Sequence, residues 1–537
     1  MRHVAAALAL VALIASAYGG ALGHEFVFDD QALVVENPVV RLPLSQAYEL
    51  LVGSESGIVY RPLRMLSYMV DYQLAGGLDA AAFHLSSLVY HAAATLALYA
   101  LAWLTIGSAL GASSAAAIFA VHPLSSEAVV YVAGRRDELV TLFVLLALLC
   151  WCALLRQPPP ARFASHARRG RLGVRGGLAL AGMIAFSVLA VMAKESAIVM
   201  PVLAALLWGA LRDGVPRRAG GAGWAIVACA AALLVVGVWV YAAPLAAQLG
   251  EVVGGSLAPQ PALSLRVLGR YLSLALWPGR LSADYRPYAF DLPESSLDLP
   301  AALAGLALLL VVVAGTVLLL RREVAGAGLL WFVVALLPVA QIVPYREVVA
   351  EHNAYLALAG IALAAGQGLA VLFGARPRLA VAVAAAVVLA LGLRSHARAA
   401  DWRDDVTLWS VTVESTPGSV RGHYNLGVAL LADGKLLEAR AALERAVELA
   451  PRDPEALLTL ATLAGRLGEF DRAHDLAARA VRERRDAGSL TVLGWAQLSR
   501  GDAPRAIDSF EAAIALGADS DEVRVGLRRA REEGGRF

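Results

Sequence analysis

Residues 4–30 read VAAALALVALIASAYGGALGHEFVFDD, an apolar run that ends in two adjacent carboxylates, Asp29 and Asp30. A run of roughly 20 apolar residues is long enough to cross a bilayer as a helix. Carboxylates at the end of such a helix are costly to keep ionised, because desolvation disfavours the charged form. They occur there mainly where a proton, a cation or a substrate group needs them. The alternative is that the pair only caps and hydrates the helix end.

The composition indicates that much of the chain lies in lipid. Apolar residues make up 59% of the 537 residues and charged residues 17%, and the mean hydropathy is +0.63. Soluble domains are nearer to about 45–50% apolar and about 25% charged. The net charge of +2 gives no indication of a nucleic-acid partner. The three cysteines lie in apolar runs and suggest neither a disulfide framework nor a zinc site.

Apolar segments of membrane-spanning length recur along the first 400 residues. Residues 1–22 resemble a signal peptide, but the many later spans favour an uncleaved first helix. Residues 263–278 are shorter and interrupted by Arg266 and Arg270, so we interpret them as an interfacial or re-entrant helix. About eleven spans are predicted, at residues 4–22, 84–106, 110–132, 138–155, 177–193, 195–211, 224–243, 299–320, 325–344, 352–373 and 379–397.

The distribution of arginine predicts the topology. If the N-terminus is cytoplasmic, the even-numbered spans return to the cytoplasm at loops 156–176, 212–223, 321–324 and 374–378, which are rich in arginine. This is the positive-inside pattern. The loops 23–83 and 244–298 and everything after residue 397 then lie outside the cytoplasm.

Residues 420–520 carry a repeat with a period close to 34. Its turn positions are Gly434, Gly468 and Gly501, and small residues recur at matching places between them. This is the tetratricopeptide pattern, in which small residues let the two helices of a unit approach closely. The sequence predicts an all-α fold with a membrane domain (1–397), a connecting helix (398–419) and a soluble solenoid (420–537) of three repeats and a cap helix, 521–534. Such arrays usually bind peptides, although a purely structural role is the alternative.

Cations gather on the predicted outer side, against the positive-inside trend. They are Arg61, Arg64, Arg135, Arg136, Lys194 and Arg346, with Arg286 on the same side. Arginine suits phosphate, because its guanidinium forms paired charge-assisted hydrogen bonds. An anion site with acid–base groups beside it is therefore predicted. The other candidate site residues are His84, His122, Glu127, Glu195, Tyr285, Glu351 and His352.

Each of these residues also has a structural interpretation. His84 is more often a packing residue, and Arg135 with Arg136 could form a hydrated loop. His122 could satisfy carbonyls that Pro123 leaves free. Lys194 and Glu195 could form one local ion pair. So many ionisable groups at one membrane face nevertheless favour a site.

Eight stretches in one order make the chain resemble the transmembrane and tetratricopeptide repeat-containing (TMTC) family of protein O-mannosyltransferase-like proteins, in the GT-C glycosyltransferase superfamily. They are FVFDDQALVVENPVVR (26–41), YRPLRMLSYMVDY (60–72), HLSSLVYHA (84–92), HPLSSEAVVYVAGRRDEL (122–139), AKESAIVMPVL (193–203), LWPGRLSADY (276–285), AEHNAYLALAG (350–360) and DWRDDVTLW (401–409). The resemblance implies a GT-C-like helical bundle, a lipid-linked sugar donor and transfer to Ser or Thr hydroxyls of proteins. It also implies that Asp29 or Asp30 is the base.

The Ala- and Arg-rich composition, with Lys194 and Lys435 as the only lysines, indicates a bacterial member. The expected donor is then a polyprenyl-phosphate sugar, and the expected location is the inner membrane with the site and repeats on the periplasmic side. One base suffices for an inverting displacement. No cofactor is required, although Mg²⁺ or Mn²⁺ on the carboxylate pair is an open alternative. Two other functions stay open: an inactive membrane scaffold that displays the repeats, and a lipid-linked sugar transporter.

We expect residues 398–537 to lie outside the cytoplasm, because the arginine-rich loops fix the opposite side. A reporter that is active only in the cytoplasm should be silent when fused after Phe537. The same reporter should be active when fused after Arg322, within a predicted cytoplasmic loop. Activity after Phe537 would mean that one span is miscounted, with residues 263–278 as the first suspect.

Overall fold

The computed structural model describes residues 1–47, 61–156, 174–211, 237, 259–285, 298–343, 347–518 and 520–534. The chain forms two compact units: Met1–Ala283 with Asp291–Asp404, and Asp284–Phe290 with Asp405–Phe537. Every regular element in the described part of the chain is helical, which confirms the predicted all-α class.

The first unit is a bundle of apolar helices joined by turns, several of which are short 3₁₀ helices. Its described α-helices are α1 (Arg2–Tyr18), α2 (Pro62–Ala75), α3 (Ala80–Ile106), α4 (Ala109–Ala120), α5 (Ser126–Val130), α6 (Arg135–Leu155), α7 (Val174–Ala193), α8 (Met200–Ala210), α9 (Gln260–Leu276), α10 (Leu299–Leu320), α11 (Val324–Leu336), α12 (Tyr355–Ala375) and α13 (Pro377–Ala400).

Seven stretches within the described residues are long and apolar enough to cross a bilayer, as expected for a multi-pass membrane protein. They are Arg2–Gly23, Ala80–Ile106, Val132–Leu155, Val174–Ala193, Leu299–Leu320, Glu351–Ala375 and Pro377–Ala400. Three other predicted spans correspond to the shorter apolar helices Ala109–Ala120, Glu195–Ala210 and Val324–Val339. The predicted span 224–243 lies outside the described residues, so the count of eleven stays a prediction.

The structure differs from the continuous span predicted at residues 110–132, since α4 ends at Ala120. The reason is the His122-Pro123 pair. Proline disfavours the helical conformation in the residue before it, and His122 is extended, with φ −77° and ψ 126°. The Nδ1 atom of His122 then accepts a hydrogen bond from the Leu124 N–H at 3.2 Å. A broken helix therefore occupies this stretch.

Glycine lets the central helices of the first unit approach closely. Helix α12 packs between α4 and α11. A Cβ atom on Gly360 would lie 2.5 Å from the Gly328 carbonyl oxygen, and one on Gly366 would lie 2.5 Å from the Gly111 oxygen. Small residues at such crossings are typical of membrane helix pairs, where close packing takes the place of the hydrophobic effect.

The second unit confirms the predicted tetratricopeptide architecture. Its helices are α14 (Asp405–Ser415), α15 (Val420–Ala432), α16 (Leu436–Leu449), α17 (Pro454–Arg466), α18 (Phe470–Glu483), α19 (Ala487–Ser499), α20 (Ala503–Ala515) and α21 (Asp521–Gly534). Helices α15 to α20 form three antiparallel pairs, and α21 packs on the last pair. Gly434, Gly468 and Gly501 end the first helix of each pair with φ between 74° and 79°, a left-handed conformation that favours glycine.

The close approach of α11 and α12 makes Gly360 sensitive to a single methyl group. Gly360→Ala should destabilise the chain by about 1–3 kcal/mol, the usual cost of overpacking. Gly368→Ala, on the same helix with nothing within 4 Å of the added Cβ, should be neutral or slightly stabilising. Thermal unfolding in detergent measures both variants. Equal melting temperatures would contradict the close crossing.

Candidate active site

The candidate site lies at one end of the helices of the first unit. Asp29, Asp30 and Lys194 follow the C-terminal ends of α1 and α7. The N-terminal ends of α3, α6 and α12 lie at the same end of the bundle, because neighbouring helices alternate in direction. The site residues at or just before those ends are therefore near this loop region. The arginines of the predicted cytoplasmic loops that are described lie at the opposite helix ends, namely Arg156, Arg175, Arg321, Arg322, Arg376 and Arg378.

The loop after α1 is attached to the start of α6 through Asp30. The carboxyl group of Asp30 is fully buried and accepts hydrogen bonds from the N–H groups of Ala133 at 2.7 Å and Val27 at 3.3 Å. Burial raises the pKa of Asp30 to about 8, and the nearby Asp29 adds to this rise. Phe28, immediately before the pair, has φ 56°, an uncommon left-handed conformation for a bulky residue.

Asp29 has a different environment from its neighbour. Its side chain is only half-buried. Within the described residues its carboxylate makes no hydrogen bond and no ion pair. Its electrostatic neighbours include Asp30 and Tyr131. Of the two carboxylates, Asp29 is therefore the one that can reach a substrate, and Asp30 anchors the loop.

A chain of alternating charges runs beside this loop. Lys194 donates to Asp137 at 2.6 Å and to the side chain of Asn353 at 2.7 Å. Asp137 also pairs with Arg136 at 3.4 Å. Glu195 pairs instead with Arg61, at 3.1 Å across 134 residues of sequence. The local Lys194–Glu195 ion pair that the sequence left open is thus replaced by two pairs that join distant segments.

His352 extends this chain towards Glu127. The guanidinium of Arg136 donates to Nε2 of His352 at 2.7 Å, so the other ring nitrogen, Nδ1, donates to Glu127 at 2.7 Å. Glu127 also accepts the backbone N–H of His352 at 3.1 Å. These contacts fix the ring orientation of His352 and leave Arg136 facing the site.

Arg135 is engaged mainly in packing. It is completely buried and pairs with Asp71. Its other N–H groups donate to the hydroxyls of Ser67 at 3.2 Å and Ser87 at 3.3 Å and to the Phe83 carbonyl at 2.7 Å. These contacts occupy four of the five N–H groups of the guanidinium, which favours a packing role for Arg135 over the phosphate-binding role that the sequence predicts.

Arg64 is the opposite case. Its side chain is 2% exposed, yet among the described residues it has no hydrogen-bond or ion-pair partner, and its buried Nε is unsatisfied. Its charged neighbours include Arg61 and Arg136, and burial, with a smaller contribution from these two cations, lowers the pKa of Arg64 to about 10. A buried cation without an anion is costly. This position therefore favours the binding of an anion.

The remaining predicted residues have mixed environments. The Nε2 of His84 lies 3.4 Å from the Glu25 carbonyl oxygen. His122 donates from Nε2 to the Ala275 carbonyl at 3.0 Å and caps Leu124. These contacts favour a packing role, although the bonded carbonyl belongs to α9 and is not one that Pro123 leaves free. Glu351 accepts from the Ser282 N–H at 2.7 Å. Tyr285 belongs to the second compact unit, and Arg346 lies outside the described residues.

Several residues at the site were not singled out by the sequence. The ring of Tyr131 stacks on both Phe28 and Trp402, and its buried hydroxyl has no hydrogen-bond partner among the described residues. Asp71, Asp137, Asn353 and Trp402 also lie in the family-like stretches 60–72, 122–139, 350–360 and 401–409. Their positions in those stretches were the only signal, because no local pattern distinguishes a site residue from a packing residue.

The two carboxylates differ in their access for a metal ion. Both oxygens of Asp30 accept backbone N–H groups in a fully buried position, so Asp29 offers the more accessible oxygens for the divalent ion that the sequence leaves open. Among the described residues no group of three or more His, Cys, Asp or Glu side chains could hold a metal.

Comparisons with known proteins identify tetratricopeptide repeats in the C-terminal part of the chain. Two tetratricopeptide repeat family models match residues 430–490 and 393–454. The solved tetratricopeptide domains of Sgt2 from Aspergillus fumigatus and of human RPAP3 are 22% and 20% identical, with TM-scores of 0.21 and 0.22. Each covers 22% of this chain, and the match spans 82% and 95% of those chains.

The similar curated proteins are O-mannosyl-transferases by name. Protein O-mannosyl-transferase F38B6.6 of Caenorhabditis elegans is 34% identical over 158 residues, 26% of this chain and 22% of that protein. Human TMTC4 is 30% identical over 25% of this chain and 21% of its own length, and tmtc2 of Xenopus laevis is 37% identical over 25% and 17%. The matches thus span about a fifth of these relatives. They confirm that the chain resembles the TMTC protein O-mannosyl-transferases over a quarter of its length, and that it carries tetratricopeptide repeats.

Proposed function

We propose that the chain is a membrane glycosyltransferase that moves a sugar of the mannose type from a polyprenyl-phosphate donor to Ser or Thr hydroxyls of proteins. The observation that carries this proposal is an Asp29 carboxylate that has no partner among the described residues and lies near a group of cations that includes Arg64, which is likewise unpaired there. Tyr131 is an electrostatic neighbour of both Asp29 and Arg64. The names of the similar proteins support the choice of sugar and reaction.

Asp29 is the proposed general base. It takes the proton of the acceptor hydroxyl while the hydroxyl oxygen attacks the anomeric carbon. The bond between that carbon and the phosphate oxygen breaks, and the phosphate leaves with the electron pair. One displacement inverts the configuration, so a single carboxylate suffices. Asp30, which is fully engaged with backbone N–H groups, keeps the loop in place.

Arg64 is the proposed centre of the phosphate site, with Arg61, Arg136 and Lys194 around it. Asp137 pairs with both Lys194 and Arg136, and within the described residues no carboxylate pairs with Arg64. The Arg64 guanidinium is thus the proposed source of uncompensated positive charge. The departing phosphate gains negative charge during transfer, and preorganised cations stabilise that change. Arg346 remains a member of the proposed site on sequence grounds alone.

The proposed setting is a multi-pass protein of a bacterial inner membrane, with the site and the repeats on the periplasmic side. Tetratricopeptide repeats usually bind other proteins, so the second unit is proposed to bind the acceptor or a partner. An inactive scaffold would share this architecture. It differs in predicting that Asp29 tolerates substitution.

Asp29→Asn should lower sugar transfer by about 10²–10⁴-fold, because the amide cannot accept the acceptor proton. Asp30→Asn is the matched control, because it removes the neighbouring carboxylate, which anchors the loop. It should lower sugar transfer less than Asp29→Asn does. The measurement is transfer from a polyprenyl-phosphate mannose to a Ser/Thr peptide, with donor binding as a check on folding. Wild-type transfer by Asp29→Asn would favour the scaffold.

Arg64→Met should raise the KM for the donor tenfold or more, since loss of a charge contact typically costs about 2–5 kcal/mol. Its melting temperature should not fall, because removal of an unpaired buried cation relieves a desolvation cost. Arg135→Met should instead lower the melting temperature, because it leaves Asp71 buried and unpaired. Arg156→Gln, at the opposite helix ends, should leave the KM unchanged. A destabilised Arg64→Met with normal KM would assign Arg64 to packing.

A further inference from the structure

The stretch DWRDDVTLW, which joins the two units in sequence, begins with residues that pack on the Asp29 loop. Trp402 is fully buried in the first unit and stacks on Tyr131, with ring centroids 5.1 Å apart and planes at 30°. Tyr131 in turn stacks on Phe28, at 5.7 Å and 20°. Phe28 immediately precedes Asp29, so three rings connect Trp402 to the proposed base.

Hydrogen bonds and an ion pair hold the same segment. The N–H of Glu25 donates to the Arg403 carbonyl at 3.0 Å. Arg398 is 1% exposed, donates to Glu351 at 3.1 Å and lies 5.7 Å from the ring centroid of Trp402. Residues 398–403 therefore contact both the Asp29 loop and the segment before α12.

The conformation of Phe28 requires such support. A bulky residue at φ 56° keeps this sparsely populated conformation only where its surroundings hold it. The stack on Tyr131 restrains the Phe28 ring, and Trp402 restrains Tyr131 by stacking on it as well. Asp30 restrains the backbone on both sides of Phe28, because its carboxyl group accepts the Val27 N–H and its own N–H donates to the Val27 carbonyl. These bonds do not hold the Phe28 ring, which the aromatic stack restrains.

We propose that Trp402 and Arg398 are positioning residues, which hold the Asp29 loop in its left-handed turn and so fix the direction of the proposed base. This inference rests on the proposed function for its kinetic consequence, but its structural part is independent. Neither residue reaches a substrate. They act through Tyr131, Phe28 and Glu351.

The test uses the full chain with a nitroxide label on Glu25→Cys, in a background whose three native cysteines are replaced by alanine. Trp402→Leu should make the label more mobile, whereas Trp402→Phe, which retains a ring, should leave it close to the parent. Trp151→Leu is the matched control: Trp151 is also fully buried in the first unit but lies near the opposite end of α6. It should destabilise the chain similarly without releasing the label.

Kinetics test the consequence for transfer. Trp402→Leu should lower kcat on the order of 10²-fold, as a small displacement of a reacting group does. The donor KM should stay within about twofold, because the phosphate site is not altered. Arg398→Gln should lower kcat in the same direction, and Arg398→Lys should restore part of it.

The outcomes separate the two proposals. If the parent chain transfers no sugar, the proposed function fails, and the label still tests the structural part. An unchanged label in Trp402→Leu would overturn the inference. So would a Trp151→Leu variant that releases the label or lowers kcat equally, since both effects would then be general destabilisation.

Discussion

The buried carboxyl group of Asp30 is the contact on which the geometry of the candidate site depends. It accepts N–H groups from its own loop and from the start of α6, and therefore fixes a polar loop at the end of an apolar helix. Burial of this group disfavours its charge, and only Asp29, the adjacent residue, retains an accessible carboxylate. The two adjacent aspartates therefore have different roles: Asp30 holds the loop in place, and Asp29 is available as the proposed base.

In the rest of the site, most of the buried cations are paired with carboxylates. Arg61, Arg135, Arg136 and Lys194 each have a carboxylate partner. Arg136 pairs with its neighbour Asp137, whereas the other three pairs join segments that are far apart in the chain. A buried ion pair contributes little net stability but is costly to break, so the network specifies which helix ends meet. Arg64 is the exception, because it has no carboxylate partner among the described residues. An anionic ligand is therefore expected at this buried cation.

The class of fold could be predicted from the sequence because hydropathy and the 34-residue period are properties of local stretches. The number of predicted spans before each residue predicts its side of the membrane, and it predicts one common side for Asp29, Arg61, Arg136 and Lys194. The individual pairings could not be predicted from the sequence. The Glu127–His352 bond, for example, joins residues 225 apart, and either residue could have bonded to another partner. A proline in an apolar run predicts a kink in a continuous span at Pro123, whereas the helix ends altogether at Ala120; hydropathy does not distinguish a kink from a break. Trp402 was missed because a buried ring at a site has the same local pattern as one in a core.

The most direct test of the account is a structure of the chain with a non-transferable phosphonate analogue of a polyprenyl-phosphate sugar. The account predicts that the phosphonate oxygens lie within about 3 Å of the Arg64 guanidinium, an ordinary hydrogen-bond distance. It also predicts that the anomeric carbon faces the solvent-accessible side of Asp29. A bound analogue whose phosphonate lies away from Arg64, or whose sugar is remote from Asp29, would contradict it.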